Sequence, residues 1–132
     1  MAHHILIVDD EEYIRTVVRR QLGGTTYEVL EADGAEQATK LLGEYALTID
    51  VIICDVRMPK ISGVEAVEHF RREYPGTPII VLTGFPDLNL AVEFMKEGVV
   101  DYLVKPVERE KLISAVEKAA KQHKIFRSSR GG

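Results

Sequence analysis

Five short apolar runs, rich in β-branched residues, recur along this chain, and each is followed by a stretch with helical spacing. The runs cover about residues 4–8, 27–31, 51–54, 79–82 and 102–104. Runs such as Ile5-Leu6-Ile7-Val8 and Val51-Ile52-Ile53-Cys54 are apolar on both faces. That is the pattern of a strand covered from both sides, as in a parallel sheet. Run 27–31 is more polar and reads as an edge strand.

The intervening stretches predict five helices. Residues 11–22 put Ile14, Val17, Val18 and Leu22 on one face, and Gly23-Gly24 stops them. Residues 35–44 carry Ala38, Leu41 and Leu42. Residues 63–74 carry Val64, Val67 and Phe70 before Pro75-Gly76. Residues 88–97 have Asp87 as a candidate N-cap and Gly98 as a candidate C′ residue. Residues 108–124 set Leu112, Val116 and Ala119 against a charged face. Strict alternation of strand and helix with short links implies right-handed crossovers and an α/β, doubly wound parallel sheet.

Composition narrows the function. The chain has 132 residues, enough for one domain with a full core. Its net charge of −4 argues against direct binding of nucleic acid, which needs a basic excess. A single cysteine, Cys54, allows no internal disulfide and points to a reducing cytoplasm. No apolar stretch approaches the roughly 20 residues of a membrane span, so no membrane partner is expected. His3 and His4 are too few to make a metal site. Residues 1–126 are expected to form the domain, with 127–132 as a flexible tail or linker start.

Chemistry concentrates where strands end. Asp9-Asp10 follow the first run, Asp55 the third, Thr83 closes the fourth, and Lys105-Pro106 follow the fifth. Parallel strands point one way, so these ends meet along one sheet edge. Adjacent carboxylates such as Asp9 and Asp10 repel unless a cation lies between them, and Mg²⁺ suits oxygen ligands. An aspartate at an open edge can act as a nucleophile toward phosphorus. Each residue also has a plain reading. An aspartate can cap the first helix, Asp55 and Thr83 can serve turns, and Lys105 can be solvated. Those readings do not explain why all of them fall at strand ends. Pro106 permits a cis bond that would turn Lys105 inward.

Val8-Asp9-Asp10-Glu11, Cys54-Asp55-Val56-Arg57-Met58-Pro59 with Gly63, Leu82-Thr83-Gly84 and Tyr102-Leu103-Val104-Lys105-Pro106 resemble the receiver domain of two-component response regulators. The resemblance covers about residues 4–124. It implies a flavodoxin-like sheet of strand order 2-1-3-4-5. It implies that Asp55 accepts a phosphoryl group from a histidine kinase or phosphotransfer protein. Asp9, Asp10, Asp55 and the backbone carbonyl of Arg57 would hold Mg²⁺. Thr83 and Lys105 would contact the phosphoryl oxygens, with Thr83 and Tyr102 as the switch pair. The face formed by the fourth helix, fifth strand and fifth helix would then repack and pair with a partner or a second receiver. Arg57 and Phe85 flank the site where large side chains would shield the phosphoform from water.

Such a domain is no enzyme in the ordinary sense; it catalyses its own phosphorylation and dephosphorylation. Two other readings compete. One is a Mg²⁺-dependent phosphatase with an aspartate nucleophile, which usually carries a second acid two residues on, where this chain has Arg57. The other is a receiver-like binding scaffold that is never phosphorylated, against which the full acidic set and Lys105 argue.

Overall fold

The computed structural model describes residues 3–56 and 63–131. Strands β1 (His3–Val8), β2 (Tyr27–Ala32), β3 (Ile49–Cys54), β4 (Ile79–Thr83) and β5 (Asp101–Val104) alternate with helices α1 (Glu12–Gln21), α2 (Ala35–Glu44), α3 (Gly63–Glu73), α4 (Leu88–Lys96) and α5 (Arg109–Gly131). All the strands pair in parallel, in the order β2-β1-β3-β4-β5. This is the expected doubly wound, flavodoxin-like arrangement.

Alternation along each strand divides the core between the two faces of the sheet. Leu6, Val8, Ile52, Cys54, Ile79 and Val81 point to the side packed by Leu42, Phe70 and Phe94, which belong to α2, α3 and α4. Ile5, Ile7, Val51, Ile53, Ile80 and Leu82 point to the side packed by Val18 of α1 and by Leu112, Val116 and Ala119 of α5. Strands β3 and β4 are buried throughout, whereas β2 is mostly half-exposed, as suits an edge.

The helix ends follow the chemistry of their residues. Asp87 accepts a hydrogen bond from the Leu90 amide (3.1 Å) and caps α4. Gly98, at φ +93°, turns the chain out of the same helix. Helix α1 has Glu11 at its N-cap position with no side-chain cap bond, and Asp9 accepts from the Glu11 amide at 2.9 Å. Helix α5 continues past Lys124, where the apolar spacing ends, and reaches Gly131, since no breaker intervenes.

A buried polar cluster closes the end of the sheet at which β1 and β3 begin. Asp50 opposes no residue in the β1–β3 register, where His4 pairs Ile49 and Ile5 pairs Val51. Its carboxylate takes His3 Nδ1 at 2.7 Å and lies 3.5 Å from His123 Nε2 on α5. His123 Nδ1–H donates to the Gly76 carbonyl at 2.9 Å. His4 contacts Thr48 and Glu28. The paired histidines thus tie strands and α5 together.

Candidate functional site

The opposite end of the sheet gathers the residues singled out above. Backbone bonds bring the strand ends level: the Asp9 amide donates to Ala32 O (3.0 Å), the Asp55 amide to Val8 O (2.9 Å) and the Lys105 amide to Thr83 O (2.8 Å). Asp9 emerges from β1, Asp55 from β3 and Lys105 from β5, so side chains as many as 96 positions apart meet. Lys105 Nζ donates to Asp9 Oδ2 at 2.9 Å and Asp55 Oδ2 at 3.2 Å, and lies 3.6 Å from Glu11 Oε1. The Lys105–Pro106 bond is cis, as expected at this turn.

Asp9, Asp10, Glu11 and Asp55 each bring a carboxylate oxygen within 4.8 Å of the others. Asp9 and Asp55 are buried; Asp10 and Glu11 face the opening. An all-oxygen set open on one side fits a hard divalent ion that retains waters, which is the chemistry of Mg²⁺. Glu11 was not anticipated as a member. Its one sequence signal, a third acid in a row at the end of β1, does not separate it from ordinary solvated charge. The Arg57 carbonyl lies outside the described residues.

Burial and the neighbouring charges both move the titrations at this cluster. Burial pushes the Asp9 carboxyl above its ordinary value, and the bonds from Lys105 and the Glu11 amide offset this only in part. For Lys105 burial works downward, but the Asp9 bond and the charges of Asp9 and Asp55 outweigh it and raise the pKa. Burial, with Asp55 and Asp9 nearby, raises the Cys54 thiol, so Cys54 is no nucleophile here.

Thr83 is fully buried at the end of β4, and its Oγ1 accepts from the Phe85 amide at 3.1 Å. The turn role weighed for this hydroxyl is therefore the one it plays here. Phe85 is exposed. The Tyr102 ring is half-buried and stacks on Phe94 with centroids 6.3 Å apart, while its hydroxyl accepts from the Asp87 amide at 3.1 Å.

The family of response regulator receiver domains matches residues 5–117. This chain belongs to that family. Receiver domains are the phosphoacceptor signalling modules of two-component systems and work with histidine kinases or phosphotransfer proteins. The transcriptional regulatory protein ZraR of Escherichia coli K12 is 34% identical over 92% of this chain. This chain spans 27% of ZraR's length. A response regulator receiver domain protein from Clostridium thermocellum is 35% identical with a TM-score of 0.86, covering 94% of this chain and 98% of that one. The chemotaxis protein CheY4 of Vibrio cholerae is 32% identical with a TM-score of 0.80, covering 90% and 99%. Among the described residues no helix is long and apolar enough to cross a membrane.

Proposed function

We propose that Asp55 is the phosphoacceptor and that this receiver catalyses its own phosphorylation and dephosphorylation with Mg²⁺. The observation that carries this reading is the ammonium of Lys105 bridging Asp9 and Asp55 beside a four-carboxylate, all-oxygen pocket. A carboxylate oxygen of Asp55 attacks the phosphorus of a phosphohistidine or a small acyl phosphate. A P–O bond forms, the bond to the donor breaks, and the imidazole or carboxylate leaves. Charge gathers on the phosphoryl oxygens, so catalysis is mainly positioning and neutralisation. Lys105 is placed to neutralise part of it. Asp9, Asp10 and Asp55, with the Arg57 carbonyl that the family resemblance implies, would hold Mg²⁺, whose charge would neutralise the rest. Phe85, exposed two residues after Thr83, would help shield the product from water.

The new phosphoryl group adds about −1.5 to −2 charge units beside Lys105. Thr83 gives up the Phe85 amide to bond a phosphoryl oxygen, and Tyr102 leaves the Asp87 amide to turn inward. This biases an existing equilibrium and repacks the α4–β5–α5 face. Leu88, Val92, Met95 and Val104 stand exposed there, which supports pairing with a partner or a second receiver. The partners are a histidine kinase or phosphotransfer protein in the cytoplasm, with no direct contact to nucleic acid. Residues 1–126 make up the receiver proper, with α5 running on to Gly131.

Intact-mass spectrometry after incubation with acetyl phosphate and Mg²⁺ tests the acceptor. Wild type gains one phosphoryl mass and Asp55→Asn gains none. Undiminished labelling of Asp55→Asn refutes the assignment.

A further inference from the structure

The loop bearing Asp9 and Asp10 is braced from outside the acidic pocket by Arg15 of α1. Its Nη1 donates to the backbone carbonyl of Asp9 at 2.7 Å, and its Nε donates to Glu31 Oε1 of β2 at 3.0 Å. The Arg15 and Glu31 side chains are only 16% and 19% exposed, and Arg19 Nη2 pairs with the other oxygen of Glu31. A guanidinium presents its donors as a rigid planar fork, so fixing Nε on Glu31 also fixes where Nη1 points.

Asp9 needs little further help. Its amide, its carbonyl and both carboxylate oxygens are engaged. Asp10 is the opposite case. Its side chain is exposed and has no hydrogen bond or ion pair with any described residue, yet its carboxylate reaches the pocket. Its aim is therefore set by the peptide joining it to Asp9, and the carbonyl of that peptide is the one Arg15 holds.

We propose that Arg15 is a positioning residue for the divalent-cation site: through the Asp9 carbonyl it fixes the Asp9–Asp10 peptide and so directs the Asp10 carboxylate toward Asp9 and Asp55. This rests on the Mg²⁺ reading given above. Positioning and charge act in opposite directions here. Removing a cation near four carboxylates strengthens their pull on Mg²⁺ if charge alone matters. Loss of positioning weakens it. A brace that serves only the fold lowers stability and leaves Mg²⁺ affinity alone.

Calorimetric titration with MgCl₂ at constant ionic strength, beside urea unfolding of the same variants, separates the three. Arg15→Ala is expected to weaken Mg²⁺ binding about tenfold, the scale of lost outer-shell support. Arg15→Lys keeps the charge but, as a single point donor, cannot span both acceptors, so it also weakens binding, by less. Affinity for Arg15→Ala equal to or tighter than wild type overturns the proposal, as does wild-type affinity in Arg15→Lys. Should Arg15→Ala not fold, Arg15→Lys decides. Absence of Mg²⁺ binding in wild type removes the metal reading itself, a result distinct from equal binding in wild type and variant.

Discussion

Asp9 shows how function and stability pull apart in one residue. Its carboxyl titrates above the reference value of 3.8 because burial outweighs the bonds it receives. The folded state therefore holds the Asp9 proton more tightly than the unfolded chain does. Ionised Asp9 costs stability at neutral pH, and that cost is withdrawn as the pH falls through the raised pKa toward 3.8. Asp9→Asn is accordingly more stable than wild type in neutral, Mg²⁺-free buffer, and its advantage shrinks on acidification. Urea unfolding at two pH values in EDTA checks this; an advantage that grows on acidification contradicts it. Lys105 behaves in the opposite sense. Its raised pKa gives stability that is whole below 10.5 and is lost as the pH climbs past that value. The sequence showed these residues plainly because polar groups closing apolar runs have few other reasons to be there. It did not show Glu11 or Arg15 as members, since a third acid and an arginine on an amphipathic helix look like ordinary solvated charge. Only their partners, Lys105 and the Asp9 carbonyl, reveal them.

Elements were legible where periodicity was strong and blurred where tertiary contacts decide. Strand β3 was read from Val51, yet it begins at Ile49 and includes Asp50. A charge reads as the end of an apolar run until His3 and His123 supply its partners from β1 and α5. The end of α4 was legible, because glycine there is required by geometry. At Gly98 φ is +93°, and a Cβ would stand 2.8 Å from Arg71 Nη2. Arg71 Nε meanwhile donates to the Glu97 carbonyl at 3.1 Å, holding the last turn against α3. Gly98→Ala is expected to cost about 1–2 kcal/mol from the left-handed backbone alone. An unchanged urea midpoint for that variant contradicts the account of how α4 ends.

At the scale of the molecule, the proposed chemistry lies at one sheet edge and the proposed responsive face lies to its side. Phe94 joins the two: it is buried in the core of α4, and Tyr102 stacks on it. Val92 and Met95, on the same helix, face outward with Lys96 along a shallow groove. Val92→Asp is expected to leave phosphorylation intact and to abolish any phosphorylation-dependent association seen by size-exclusion chromatography. Association that survives this change places the responsive face elsewhere. The shared edge was readable from alternation, whereas the strand order came from the family resemblance. Which face would repack is implied by the resemblance alone, because exposed apolar residues on one helix look alike whatever they bind. Everything proposed for this molecule turns on Asp55 as the nucleophile of a Mg²⁺-dependent transfer. Borohydride reduction of the acetyl-phosphate-treated protein, followed by peptide fragmentation, locates the acyl phosphate directly. Modification is expected at Asp55 with Mg²⁺ present and is absent with EDTA; modification at another residue, or at Asp55 without a divalent ion, overturns the assignment.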